Sequence, residues 1–228
     1  MKCIILIPAY EPDSKLLKLL KEIDHKYQVV VVDDGSGKHY QDIFTSAKNY
    51  AHVLSYNENM GKGYAIKTGL NYIEDTYTNN YIVVTMDADG QHKLSDALKL
   101  CDYVKENPHV LALGKRNWTK NAPLRSRIGN AITRKVFKKV TGLSIYDTQS
   151  GLRAFSDELN DYMLNTKGNR FEYEMNVLLN LKNKHLGYHE IPIDTIYLDH
   201  NKSSHFNTIT DSYKIYKVIH KWQKEHKK

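Results

Sequence analysis

Short apolar runs alternate with amphipathic stretches through the first half of the chain. Cys3 to Ile7, Val29 to Val32 and Tyr81 to Met86 are runs of strand length, the pattern of strands buried on both faces. The first stops at Pro8 and the second at the turn cluster Asp33-Asp34-Gly35-Ser36-Gly37. The third ends in Asp87, and His52 to Tyr56 gives a shorter strand. Between them, Leu16, Leu17, Leu19, Leu20 and Ile23 are spaced as one face of a helix. A second helix is predicted around Asp42 to Asn49. A third opens at Asn59-Met60-Gly61-Lys62-Gly63 and runs to about Glu74.

The second half is less regular. It predicts a helix over Ser95 to Glu106, a strand over Val110 to Leu113 and a basic loop over Lys115 to Arg127 that leads into a helix from about Ser126 to Thr141. A turn and strand follow over Asp147 to Phe155, then a helix over Phe171 to Leu181. Short strands at Tyr188 to Pro192 and Asp194 to Leu198 precede a final helix over Thr208 to His226. The alternation implies an α/β domain with a mostly parallel central sheet and helices on both faces. Such sheets bind ligands beyond the carboxyl ends of their strands. Pro8 to Glu11, Asp33 to Ser36 and Asp87 to Gln91 all follow strand ends, so one sheet edge gathers them. No repeat, low-complexity tract or linker divides the chain, which reads as one domain over residues 1–228.

Composition narrows this in three ways. With 228 residues and 41% hydrophobic content the chain can bury a core without disulfides. Its two cysteines, Cys3 and Cys101, therefore read as reduced packing residues, which suits a reducing, cytoplasmic compartment. No secretory signal is visible, and no apolar run reaches the ~18 residues of a membrane span. The expectation is a soluble protein, or one peripheral on the cytoplasmic face of a membrane. The net charge of +7 comes from 33 Lys and Arg against 26 Asp and Glu. The excess is concentrated in Arg116 to Lys139 and in the tail from Lys214, which suits phosphate-bearing partners or, equally, solvated surface.

Five polar clusters carry candidate chemistry. In Asp87-Ala88-Asp89-Gly90-Gln91, two carboxylates and an amide oxygen at a strand end can reach one hard cation, Mg²⁺ or Mn²⁺; a solvated Asp-Gly turn is the other reading. Asp33-Asp34-Gly35-Ser36 can accept hydrogen bonds from a nucleobase, or form an Asx turn. Asn59-Met60-Gly61-Lys62-Gly63 resembles a phosphate-cradling helix start without matching a standard nucleotide-loop spacing. Arg153, in Asp147-Thr148-Gln149-Ser150-Gly151-Leu152-Arg153, can bind phosphate bidentately or stand as a surface arginine.

Together these segments, with Ile7-Pro8-Ala9-Tyr10-Glu11, resemble family 2 glycosyltransferases of the GT-A (Rossmann-like) fold, in the dolichyl-phosphate mannosyltransferase-like, or polyprenyl-phosphate glycosyltransferase, branch. The five occur in the family's order over about residues 3–155. The resemblance implies a nucleotide-sugar-binding part over about 3–110, an acceptor-side part over about 111–207 and a basic amphipathic helix over about 208–228. It implies that Pro8, Tyr10, Glu11, Asp33, Asp34 and Lys62 line the donor site and that Asp87, Asp89 and Gln91 surround the metal. Arg116, Arg125, Arg127 and Arg153 become candidates for donor and acceptor phosphates. Near the carboxyl terminus, Ser204-His205 stands where related enzymes carry Ser-Lys.

The implied reaction inverts the sugar's anomeric carbon. Asp89 and Arg153 serve the departing diphosphate. Asp147 is the best-placed base if a hydroxyl is the acceptor, with Glu172 and Glu174 behind it. A lipid monophosphate needs no base, because its second pKa is about 6. The acceptor is accordingly read as a polyprenyl or dolichyl phosphate, with a saccharide or protein hydroxyl as the alternative. In the tail, Ile215, Ile219 and Trp222 at helical spacing among lysines suit either an interfacial membrane helix or a terminal helix packed on the domain. A membrane surface or membrane protein is the expected partner, and nucleic acid is not. Two other classes compete: a sugar nucleotidyltransferase, which would want a glycine-rich basic loop after the first strand, and a nucleic-acid binder suggested by charge alone.

Overall fold

The structure, a computed structural model, describes residues 1–23, 25–117, 124–194 and 208–225, without the side chains of 124–128 and 208–214. Seven strands, β1 (Lys2–Ala9), β2 (Gln28–Asp33), β3 (His52–Ser55), β4 (Tyr81–Thr85), β5 (Val110–Arg116), β6 (Arg153–Ser156) and β7 (Gly187–Ile193), form one sheet in the order β3-β2-β1-β4-β6-β5-β7. Eight helices accompany them: α1 (Ser14–Ile23), α2 (Gln41–Ala47), α3 (Lys62–Thr76), α4 (Leu94–Glu106), α5 (Leu124–Thr141), α6 (Asn160–Asn165), α7 (Glu172–Lys184) and α8 (Thr208–Glu225). The expected α/β architecture is present. β6 runs antiparallel to β4 and β5, and the other strand pairs are parallel. That reversal has a consequence for the site. It sets Arg153, the first residue of β6, beside Thr85 and Leu113 near the carboxyl ends of β4 and β5. The loop before β6 therefore opens on the same sheet edge as the loops after β1, β2 and β4.

The apolar runs divide by alternation, as successive side chains on a strand must. Ile4, Leu6, Val30, Val32 and Val83 face one core, closed by α3, α6, α7, α8 and Phe137 of α5. Ile5, Ile7, Val29, Val31 and Val84 face a second core, closed by α1, α2 and α4. β1 does not stop at Pro8. It continues to Ala9, pairing with β2 through Ala9↔Asp33. Pairing with β4 ends at Leu6↔Thr85, so the proline lies past the last residue whose N–H that ladder needs. β7 is the first of the two short strands expected there; residues 195–198 of the second lie outside the described residues. α6 went unanticipated, because six residues are too few to display a period.

One expectation is corrected, and one pair of alternatives is decided. Cys3 on β1 and Cys101 on α4 are joined as a disulfide, with Cα atoms 6.4 Å apart across 98 residues of sequence. They are not two separate reduced residues, and cysteine usage no longer speaks for a reducing compartment. The tail's apolar stripe is not laid open to a membrane. Ile215, Ile219 and Trp222 of α8 are buried in the core they share with Phe137 of α5 and Leu178 of α7, and the Trp222 indole donates to Asn180 Oδ1 at 3.2 Å. A stripe already covered by the domain cannot also enter lipid. Among the described residues, no helix is long and apolar enough to cross a membrane. Ile219→Ala should accordingly lower stability by about 2–5 kcal/mol, a fall of ~5–15 °C in Tm for a chain of this size, measurable by thermal melting.

Candidate functional site

The site is assembled at the carboxyl edge of the sheet. Asp87 and Asp89 leave β4 together. Asp87 receives Lys62 Nζ on Oδ1 at 2.7 Å and lies 3.1 Å from His92 Nε2 through Oδ2. Lys62, in the first turn of α3, also reaches Glu174 Oε1 at 3.0 Å. Burial works against the Lys62 charge, but the carboxylates of Asp87 and Glu174 outweigh it and raise its pKa. Burial likewise works against the Asp87 carboxylate, and Lys62 and His92 hold its pKa well below the usual range. For Asp89 the charges of His92 and Lys62 are the lesser influences. Burial, and then the charge of Asp87, push its carboxyl up, while Gln91 N donates to Oδ1 at 3.0 Å.

This imbalance tests whether a metal suits the residues present. Two carboxylates close enough to repel, on one short loop, form a site that gains from a further positive charge. Among the described residues no three His, Cys, Asp or Glu side chains form a complete metal-binding group. A cation here would therefore be only partly held by protein and would take the rest of its shell from ligand and water. Mg²⁺ and Mn²⁺ accept such mixed oxygen shells, so the fit is good. Gly151 presses against the same spot: a Cβ there would come within 2.7 Å of Asp87 Oδ2 and 2.8 Å of Lys62 Nζ. Any side chain at 151 would displace the pair, which explains the glycine.

The nucleobase side differs from expectation in one respect. Asp34 is buried, and its carboxylate is saturated by the protein. It accepts from the Tyr56 hydroxyl at 2.7 Å, Asn59 Nδ2 at 3.1 Å, Met60 N at 2.9 Å and Gly61 N at 3.0 Å. Asp34 therefore shapes the loop before α3, its carboxylate already engaged by the protein. Burial, with the hydrogen bond to Asp34 adding to it, drives the Tyr56 phenol far above its ordinary range and keeps it a donor. Arg170 clamps the loop from outside, giving hydrogen bonds to Asn59 Oδ1 at 2.9 Å and Asn59 O at 3.1 Å. Asp33 closes a local turn by accepting from Ser36 N, three residues on, at 2.9 Å. Ser36 Oγ in turn accepts from Glu11 N at 2.9 Å, which fixes Glu11 at a φ of 47°, a conformation that non-glycine residues hold mainly where surrounding structure imposes it. Tyr10, 36% exposed, stands at the rim with its phenol raised by a hydrogen bond to Glu11. Asp34→Ala would leave four donors without their acceptor. It should cost about 2–4 kcal/mol and raise the donor KM; an unchanged melting temperature would contradict the clamp.

Two residues expected to serve catalysis or the acceptor are engaged by the protein itself. Asp147 is buried and binds Arg116 in a fork, with Nε to Oδ2 at 2.7 Å and Nη2 to Oδ1 at 2.9 Å. Oδ1 also accepts from Gln149 N at 3.1 Å. A carboxylate so engaged is the counter-ion of Arg116, and it could act as a base only on release from that pair. Arg153 is not a surface clamp for phosphate. It is 3% exposed, and its guanidinium donates to the carbonyls of Ser150 at 3.3 Å and Glu174 at 2.9 Å, bracing the loop before β6 against α7. Ser204 and His205 lie outside the described residues, as do the side chains of Arg125 and Arg127.

Two contributors escaped the sequence reading, and a third was read in another role. Glu190 on β7 accepts from Tyr146 N at 2.8 Å and Asp147 N at 3.0 Å, anchoring the loop before β6. His92 supports Asp87, and Glu174, read as a reserve base, pairs with Lys62. Only His92 left a trace in sequence, in its closeness to Asp87. The buried atoms Asn130 Oδ1, Thr148 Oγ1, Gln149 Nε2, Ser150 Oγ and His92 Nδ1 have no hydrogen-bond partner among the described residues. With Asn160 Nδ2 and Oδ1 the orphans are seven, and four of them belong to the loop before β6 or to the α5 residue that bonds to Tyr146. Orphans concentrated in this way mark a place for polar ligand or water.

Comparison with known proteins adds the following. A family model described as glycosyl transferase family 2 matches residues 4–217. An uncharacterised protein of Methanocaldococcus jannaschii is 33% identical over 223 residues, covering 94% of this chain and 90% of its own length. The UDP-N-acetylglucosamine–dolichyl-phosphate N-acetylglucosaminyltransferase of Methanococcus voltae is 27% identical over 237 residues, 94% of each chain. Glucosyl-3-phosphoglycerate synthase of Mycobacterium tuberculosis, solved with Mn²⁺, UDP and phosphoglyceric acid, superposes with a TM-score of 0.70 at 16% identity, covering 97% of this chain and 78% of that one. It shares the fold.

Proposed function

This chain belongs to glycosyl transferase family 2 and is a glycosyltransferase, and on that premise we propose that it moves a sugar with inversion from a GDP- or UDP-sugar to a polyprenyl or dolichyl phosphate, with Mg²⁺ or Mn²⁺. The metal, held by Asp87 and Asp89 with Gln91 beside them, would neutralise charge on the diphosphate. The chain's own groups do the remaining work. The loop shaped by Asp34 seats the nucleotide next to Pro8, Tyr10, Glu11 and Asp33. Lys62, at the start of α3, supplies a fixed positive charge at the same edge. Arg116, oriented by Asp147, meets phosphate from the acceptor side.

One observation carries the choice of acceptor. The carboxylate best placed to act as a base, Asp147, is bound in a fork to Arg116, and Glu174 is bound to Lys62. A hydroxyl nucleophile would want one of them released. A phosphate monoester brings its own negative charge and needs positioning by cations. The relative from Methanococcus voltae, named for a dolichyl-phosphate acceptor, points the same way. The test is to incubate the purified chain with a panel of UDP- and GDP-sugars and either polyprenyl phosphate or oligosaccharides, with Mn²⁺ or with chelator. Transfer to the lipid phosphate, lost with chelator and giving the inverted anomer, is expected. Transfer to oligosaccharide alone would overturn the acceptor assignment.

A further inference from the structure

By sequence the segment before α3 resembles a phosphate cradle, whose N–H groups would point at an anion. In the fold several of those groups are already engaged. Met60 N and Gly61 N donate to Asp34, and Tyr64 N donates to Asn169 O at 2.8 Å. The loop over 58–61 therefore takes its shape from protein groups on three sides. Asp34 binds it from within. Gly35, in the turn after β2, backs it so closely that a Cβ there would collide with the Glu58 backbone. The loop between α6 and α7 closes it from outside. That outer loop is bonded along its own length. Asn176 Nδ2 donates to Lys167 O at 2.9 Å and Lys67 Nζ to Gly168 O at 3.0 Å. Asn169 N and Arg170 N donate to Glu172 Oε1 at 3.1 and 3.2 Å.

Arg170 is the point of contact between the two loops. Its guanidinium forks onto one residue 111 positions away, with Nη1 on Asn59 Oδ1 at 2.9 Å and Nη2 on Asn59 O at 3.1 Å. Asn59 passes the contact inward, giving Nδ2 to Asp34 Oδ2 at 3.1 Å. Gly61, at a φ of 102°, leaves the room for it, since a Cβ there would collide with Arg170 Cγ. Arg170 itself is exposed, so the fork orders a loop and fills no core.

We propose that Arg170 is a positioning residue for the donor, which acts through Asn59 to hold the loop over 58–61 in its binding shape before the nucleotide arrives. The inference rests on the nucleotide-sugar reading. A loop ordered in advance does not add its ordering entropy to the cost of binding. Without Arg170 the inner hold of Asp34 remains and the outer hold is gone. The binding-competent shape is then populated for part of the time, and apparent affinity falls by that fraction. Once nucleotide is bound the loop stands where it does in the parent. The loss therefore falls on the donor KM and not on kcat.

Titration calorimetry of the whole chain with UDP and with GDP, each with Mn²⁺, tests this. R170A should bind the nucleotide that the parent prefers about tenfold more weakly, with kcat at saturating donor, the acceptor KM and the melting temperature close to the parent's. R170K can reach one oxygen but cannot fork onto two, so it should fall between. R170A should lose less in an N59A background than in the parent. Amide exchange at Met60 and Gly61 should be faster in nucleotide-free R170A than in the nucleotide-free parent, and equal in the two once Mn²⁺ and nucleotide are bound. Undiminished binding by R170A would overturn the proposal, as would a fall in kcat at unchanged donor KM or an equal loss in both backgrounds. Weakened binding with unchanged amide exchange would overturn it too, because Arg170 would then be touching the ligand directly. A parent that binds neither UDP nor GDP would overturn the donor reading instead, while the exchange rates would still report whether Arg170 orders the loop.

Discussion

Asp89→Asn is expected to reduce sugar transfer by on the order of a thousandfold while leaving the donor-free protein at least as stable as the parent. The two effects have one cause. Burial and the neighbouring charge of Asp87 raise the Asp89 carboxyl, so without ligand its ionised form opposes folding. Its pH dependence follows from that direction. A carboxyl with a raised folded pKa contributes stability below its unfolded pKa, and that contribution is lost as pH rises through the folded value. Asp87, with its pKa depressed by Lys62 and His92 against burial, contributes stability above its unfolded value and loses it as pH falls. The variant should therefore melt above the parent near neutral pH, with the gap closing toward acid. The amide keeps an oxygen for Gln91 N, so the comparison isolates the charge. Mn²⁺ with nucleotide should raise the melting temperature of the parent and not of the variant. A variant that retains transfer, or that melts well below the parent at neutral pH, would contradict this account of the pair.

Arg116 and Asp147 should respond unequally to substitution. Arg116→Ala strands a carboxylate whose side chain is 0% exposed, and breaking a buried pair from one side costs about 3–5 kcal/mol. Asp147→Asn keeps an acceptor for Gln149 N and for the guanidinium and loses only charge, so it should cost less. The kinetic contrast is sharper. A general base contributes ~10²–10⁴-fold, and its loss would remove the acid limb of the pH–rate profile. As a positioning residue, Asp147 should lose about ten- to a hundredfold in kcat/KM, mainly through the acceptor KM, with the limb unchanged. R116A/D147A should recover part of the stability lost by R116A, because the stranded charge goes with it. Loss of the acid limb in D147N would restore Asp147 as the base.

The elements that carry the site were legible because their signals are local. The runs before Pro8, Asp33 and Asp87 mark β1, β2 and β4, and a continuous apolar run is what a strand covered on both faces requires. Alternation also located the shared edge, since parallel strands end together. The candidate acids there were found by that logic, and Asp87 and Asp89 stand where it placed them. It could not say which acids the protein keeps for itself. Asp33 and Asp34 are adjacent and chemically identical. One closes a local turn, while the other is consumed by donors 22 to 27 residues away.

The sequence by itself determined the α/β class, the strand ends that build the site and the acidic pair after β4, because each depends on neighbours within a few residues. Only the tertiary structure decided the rest. It reversed β6 and so brought Gly151 against Asp87. It joined Cys3 to Cys101 across 98 residues and turned the stripe of α8 inward. It spent Asp147 on Arg116, 31 residues away. Each of these is a choice of partner made by a charge, a thiol or an apolar face. Composition and spacing establish that such a group must be satisfied, but which distant group satisfies it is settled only when the sheet edge brings them together.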